Sequence, residues 1–314
     1  MPTTYSRETL QAQGDTDASE RLLADREVQR AIERFEKDAD KLGARRQLLG
    51  TAMRLSPEMA PDIAATMDAC RSVLGIELPV ETYVYPSPQF NAAAIRPERG
   101  LLLVMLSSSL LEAFESDELK FVIGHELGHH LFDHHRIPGG ALLGGEVQIG
   151  AALALQLFAW QRYAEISSDR AGLACAGRLE PAAHALFKLS SGLRGGRVRV
   201  LIDKFVEQMS DLREETTRAA TGDEKSRSDW FASHPFSPLR LRAADLFIRS
   251  TIMTAGGIGR SLQSSTVSRR RLRSIRRSCR VPWRWAPSST SREPDLDRRT
   301  RSTSAFWNLV KVSR

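Results

Sequence analysis

The chain has 314 residues, 41% hydrophobic and 26% charged, a composition suited to one substantial globular domain or two small ones. Cys70, Cys175 and Cys279 are few, odd in number and free of any CxxC pairing, which argues against a disulfide framework and a thiolate zinc site and favours a reducing compartment. The formal charge of +7 belongs to one end: residues 256–314 carry 15 Lys+Arg against 3 Asp+Glu, leaving 30 against 35 on residues 1–255.

In chain order, residues 1–20 are polar, lack the apolar core of a secretory leader, and are expected to be disordered. From Arg21 to Leu55, Val28, Ile32, Phe35, Leu42, Leu48 and Leu49 recur at helical spacing among many charges, which predicts one or two solvated amphipathic helices. Ser56-Pro57-Glu58 opens another helix that should end near Gly75. Glu81–Pro86 and Leu101–Leu106 are short β-rich runs set off by Pro and Gly. Helices are then expected over 109–114, 117–135, 147–176, 181–189, 200–218 and 237–249, with loops at 194–196 and 221–228.

The most apolar stretch, Val147–Trp160, has 14 residues. A bilayer span needs about 20. It reads as a buried core helix, with contact to a membrane surface as the weaker alternative. The glycine-rich Gly139–Gly145 segment has no following Gly-Lys-Ser/Thr and reads as a flexible loop rather than a nucleotide site. From Gly256 onward periodicity is lost and Ser, Arg, Pro and Trp dominate. This tail fits a disordered arm for nucleic acid or an anionic membrane surface as well as it fits an extension without a role. The expected organisation is a disordered 1–20, a body over 21–255 and a basic tail over 256–314. The fold class is α+β, mainly helical, with one small sheet.

The chemistry-bearing motif is His125-Glu126-Leu127-Gly128-His129. On a helix of about 3.6 residues per turn, the two histidines project from one face and can share a zinc ion, with Glu126 placed to take a proton from water. Ser116 and Asp117 supply cap chemistry for that helix. His135 stands ten residues after His125, the spacing of a third metzincin ligand. Phe132 occupies the glycine position that such a turn needs, so His130, His134 and His135 read as a polar helix end. Glu165 is the better third ligand. It lies four residues before Asp169 on a predicted helix, and Asp169 can accept the free ring N–H of a metal-bound histidine.

HELGHH followed about 35 residues later by Glu165-x-x-x-Asp169-Arg-Ala-Gly resembles the gluzincin peptidases related to the CAAX prenyl endopeptidase and the heat-shock protease HtpX. Asn91-Ala92-Ala93-Ala94 resembles that family's edge-strand segment, and Ser233-His234-Pro235 followed by Arg240 its C-terminal His-Pro element. The similarity covers about residues 56–250. It implies a zincin-like fold with a helix carrying the HExxH motif, an edge-strand sheet and a C-terminal helical subdomain. It also implies one zinc per chain on His125, His129 and Glu165, and general-base catalysis by Glu126. Asp169 would orient a ligand, His234 would stabilise the oxyanion, and Asn91, Ala92 and Ala93 would line the edge where a peptide substrate lies as an added strand. Two departures stand out: no transmembrane helix is evident, and Ala93 replaces a bulky residue.

The resulting expectation is a zinc metalloendopeptidase acting on peptides or proteins in the cytoplasm, peripheral to a membrane at most. A non-catalytic zinc-binding interaction module, and a nucleic-acid or membrane-surface binder working through the tail, are the competing readings. An intact Glu126 argues against the module, because a structural site needs no base.

Overall fold

The computed structural model describes residues 5–194, 198–204, 207–208, 211, 214 and 237–250, with backbone alone for 38–42. His234 and the basic tail lie outside the described residues. The fold is mainly helical with a four-stranded sheet, as the alternation of periodicities led one to expect.

The N-terminal segment departs from expectation. Residues 5–20, expected to be disordered, enter helices α1 (Arg7–Leu10) and α2 (Gln13–Ala24). Their few apolar side chains are placed where they count: Tyr5, Leu10, Ala12, Ala18 and Leu22 are all buried. Helices α3 (Arg26–Leu42) and α4 (Ala44–Thr51) follow, joined at Gly43, whose φ of 53° suits a residue without a Cβ. The amphipathic pattern read as helix up to Leu55 ends early, because Met53–Leu55 forms strand β1.

Helix α5 (Pro61–Leu74) leads into β2 (Val80–Tyr85), β3 (Ala92–Glu98) and β4 (Leu101–Ser107). The sheet order is β1-β2-β4-β3. β2 and β4 run parallel, while β1 and β3 pair antiparallel with their neighbours. Arg99 and Gly100, at φ 53° and 76°, make the tight β3–β4 turn. β3 is an edge strand, which is why it can hold Pro97 next to its register shift.

After α6 (Ser108–Ala113) comes α7 (Ser116–Leu131), capped by Glu115 rather than by Ser116 or Asp117. The Glu118 carboxylate accepts from the Glu115 backbone N–H at 2.8 Å, closing a capping box. Helix α7 stops four residues short of the expected His135. Asp133 takes a left-handed conformation, φ 60° and ψ 34°, and His134–Arg136 form a 3-10 turn that doubles back. Asp is one of the few residues that accept this geometry at low cost.

A short α8 (Gly139–Leu143), the long α9 (Ala151–Ala176), α10 (Leu179–Ser191) and α11 (Ser237–Ile248) complete the described elements. The main core lies between one sheet face and α5, α7, α9, α10 and α11. A second cluster joins α2, α3 and α8 to the start of α9, and a third covers the other sheet face with α4. The apolar start of α9 buries one face only, through Leu153, Leu157 and Trp160, rather than being buried all round. Among the described residues, no helix is long and apolar enough to cross a membrane.

Helices α7 and α9 cross at very short range. A Cβ on Gly124 would stand 2.7 Å from Cys175 Sγ, and one on Gly128 2.9 Å from Ala171 Cβ. A Cβ on Gly172 would collide with the Phe121 carbonyl oxygen. This seam explains glycines inside helices, where each costs about 1 kcal/mol relative to Ala. It brings the His125–His129 face against the helix that carries Glu165.

Candidate metal centre

His125 and His129 stand one turn apart on α7 with their Nε2 atoms 3.2 Å from each other. From α9, Glu165 reaches between them: Oε2 is 3.6 Å from His125 Nε2, and Oε1 is 3.6 Å from His129 Nε2. Among the described residues, this trio is the group of metal-capable side chains whose ligand atoms all lie within 4.8 Å of one another. His135 is not part of it, so the metzincin alternative loses its third ligand.

Each imidazole is held from behind. His125 Nδ1 meets Asp169 Oδ1 at 3.0 Å. Asp169 is fully enclosed and is gripped at both oxygens by Arg240 of α11, Nε–Oδ2 at 2.8 Å and Nη2–Oδ1 at 2.6 Å. Burial pushes the Asp169 carboxyl up, but Arg240 and His125 together carry it below the usual value, so it stays ionised. An ionised carboxylate only accepts, so in the neutral ring the His125 proton sits on Nδ1 and the lone pair on Nε2 faces inward. Arg240 also lies 3.3 Å from Glu165 Oε2 through Nη1.

His129 Nδ1 meets His134 Nδ1 at 3.0 Å. His134 was expected on a polar helix end. The left-handed turn at Asp133 instead returns it to the interior beneath His129, where it is 5% exposed. His135 is tucked against it, and burial drives its imidazole down to about 3, keeping it neutral. Burial, reinforced by the neighbouring imidazoles, also holds His129 well below the ordinary histidine value. For His125, burial acts downward, yet Asp169 and Glu165 outweigh it and raise the ring. The negative field that favours a proton on His125 would equally favour a metal cation.

Glu126 points the other way from the trio's backing residues, toward the sheet. Its Oε2 accepts the backbone N–H of Ala94 at 2.9 Å. That N–H therefore faces away from β4, on the open edge of β3. Asn91, just before β3, is held by its side-chain N–H to Tyr85 Oη at 2.6 Å and by its backbone N–H to Ser107 Oγ at 3.0 Å. Ala92 is partly exposed, whereas the Ala93 side chain is buried.

The structure thus brings together His125, His129, Glu165 and Asp169, with Glu126 beside the first histidine. Sequence reasoning missed His134 and gave Arg240 no role.

A model of peptidase family M48 matches residues 57–145 and 141–247. The chain belongs to peptidase family M48. The plastoglobule-localized metallopeptidase 48 of Arabidopsis thaliana chloroplasts is 27% identical over 216 residues, 64% of this chain and 61% of that protein. The chain therefore spans less than two thirds of that relative's length. Protease HtpX of Shewanella halifaxensis is 42% identical over 55 residues, 18% of this chain and 19% of that protein. HtpX of Stenotrophomonas maltophilia is 37% identical over 67 residues, 21% and 23% of the two chains. No solved structure matches. M48 membership accords with the expected resemblance to HtpX, and it marks the chain as one of a family of metallopeptidases.

Proposed function

We propose that this M48 chain is a zinc-dependent endopeptidase of the gluzincin type, with His125, His129 and Glu165 as ligands and Glu126 as general base. The observation that carries the reading is the convergence of two Nε2 atoms and a carboxylate on one point, with both Nδ1 atoms already engaged. With both Nδ1 atoms protonated, the two Nε2 lone pairs, 3.2 Å apart, would repel each other. A cation relieves that, and ligands about 2.0–2.1 Å from a shared tetrahedral zinc lie about 3.3 Å apart. The nitrogen and oxygen donors suit zinc, and three protein ligands leave one position open, as in catalytic rather than structural sites.

Zinc bound there would supply Lewis acidity, lowering the pKa of a water and polarising a peptide carbonyl. The residues of the chain do the rest. Glu126 takes the proton of the water whose oxygen attacks the carbonyl carbon. As the C–N bond breaks, it delivers that proton to the departing amine. The Ala94 N–H steadies the carboxylate and ties the base to the strand that a peptide would pair with. On this reading, a substrate adds to the open edge of β3 opposite β4, beside the Asn91–Ala94 backbone. His234, reached through the family likeness, completes the proposal as the oxyanion donor.

The test pairs two variants. Glu126→Gln should retain one zinc per chain by elemental analysis and lose casein cleavage by at least about a hundredfold. Glu165→Ala should lose the zinc itself. Wild-type cleavage by Glu126→Gln, or full zinc content in Glu165→Ala, overturns the assignment.

A further inference from the structure

We propose that helix α2 is part of the metal centre: Asp15, acting through His134, positions His129 as a ligand. This rests on the reading of His129 given above. Asp15 lies before residue 57, where the M48 match begins, so the family model does not reach it.

The geometry makes a single chain of protons. Asp15 Oδ2 is 2.9 Å from His134 Nε2. The carboxylate can only accept, so the proton of a neutral His134 is on Nε2 and its Nδ1 carries a lone pair. That lone pair faces His129 Nδ1 at 3.0 Å, and the hydrogen bond then places the proton of His129 on Nδ1. His129 is then left with its lone pair on Nε2, toward His125 and Glu165. Asp15 thereby selects, two residues away in the hydrogen-bond chain, the only tautomer of His129 that can bind a metal at this point. It does for His129, through an intermediary, what Asp169 does directly for His125.

Asp15 is built for the task. It is completely buried, a costly position for a carboxylate without partners. It accepts from Gln11 Nε2 at 3.0 Å, Ser167 Oγ at 2.8 Å, Ser19 Oγ at 3.2 Å and His134 Nε2. Ser19 is itself fixed by the Trp160 indole N–H at 2.9 Å. Ser167 sits on α9 two residues after Glu165, so the same carboxylate touches the helix that carries the third ligand. The approach to the site is also anchored. Tyr5 N–H bonds the Val73 carbonyl at 3.0 Å, Arg7 the Phe132 carbonyl at 2.8 Å, and Ala12 N–H the Ser167 hydroxyl at 3.0 Å. Phe132 adjoins the left-handed Asp133 turn that presents His134.

A purely structural cluster would tie α2 to α9 and affect stability alone. A positioning role also changes metal affinity, and the experiment separates the two. The full chain, stripped of metal, is titrated with zinc against a chromophoric chelator, and its stability is measured in urea. Asp15→Asn is nearly isosteric, but its amide N–H can face His134 Nε2 and push that proton to Nδ1. Its zinc Kd should rise about 10–100-fold, the usual effect of losing an outer hydrogen-bond partner. Long-range imidazole 1H–15N spectra should show His134 changing from the Nε2–H to the Nδ1–H form. Leu22→Ala, which loosens α2 without touching the carboxylate, should lose stability while its Kd stays within about twofold of wild type. If Asp15→Asn does not fold, His134→Gln breaks the relay from its other end and carries the same expected rise in Kd. A folded Asp15→Asn or His134→Gln with wild-type Kd overturns the proposal, as does an equal rise in Leu22→Ala. His129→Ala distinguishes the two levels. If it binds zinc as tightly as wild type, the ligand assignment falls and takes this inference with it. If it loses zinc while Asp15→Asn does not, only the role of Asp15 falls.

Discussion

Arg240 is buried between two carboxylates, bonded to both oxygens of Asp169 and 3.3 Å from Glu165. With Glu126 nearby, the centre has more negative than positive charge before any metal enters, and the guanidinium is the permanent counter-charge. Its own protonation is driven upward by Asp169 and Glu165 despite the opposing effect of burial. Removing one partner of such a group costs about 3–5 kcal/mol, because the remaining charges stay buried without compensation. Arg240→Gln should therefore lower the urea stability of the metal-free chain by about that amount. Zinc should recover part of the loss, since a dication beside Glu165 replaces one of the two contacts. A variant as stable as wild type without metal would show that this network carries little energy.

At the scale of elements, the close crossing of α7 and α9 decides whether the proposed ligands meet. A Cβ on Gly172 would run into the Phe121 carbonyl across the seam, and backbone cannot retreat as a flexible side chain can. Gly172→Ala should cost about 1–3 kcal/mol in urea denaturation by forcing the helices apart. It should also weaken zinc binding, because Glu165 lies seven residues earlier on the same helix. Unchanged stability and affinity would mean that the seam has slack.

This scale also shows what could be read from the chain beforehand. The four-residue spacings of His125 and His129, and of Glu165 and Asp169, are local and survive any tertiary context, so both helices and the faces on which these side chains meet were legible. Strands β2 and β4 were legible from their β-branched and aliphatic runs. The Asp15–His134 relay was not. It depends on a left-handed aspartate that ends α7 early, and on an N-terminal segment whose polar composition suggests solvation. The one available signal was the i, i+3, i+7 spacing of Asp15, Ala18 and Leu22, which are buried together on one face. A buried carboxylate is invisible to a search for apolar stripes. Arg240 was visible as part of a family likeness, but its bond to Asp169 joins positions 71 residues apart.

For the whole molecule, the centre is where separate parts of the chain are fastened together. On the proposed reading helix α7 supplies two ligands and α9 the third; α2 backs His129 through His134, and α11 backs His125 through Asp169. A ligand that binds only the folded state stabilises it by RT ln(1 + [L]/Kd), about 2.7 kcal/mol at a hundredfold excess over Kd. For a domain of this size, that corresponds to a rise in Tm of about 5–10 °C. Calorimetry of the chain with zinc at that excess, against the same sample in chelator, should show this shift. Because four helices converge on the site, the shift should be shared by probes distant from it, such as amide hydrogen exchange in β1 (Met53–Leu55) at the far edge of the sheet. Glu165→Ala should show no response to zinc. A wild-type Tm identical with zinc and with chelator would mean that the ion does not bind the folded chain, and that the converging side chains serve packing alone.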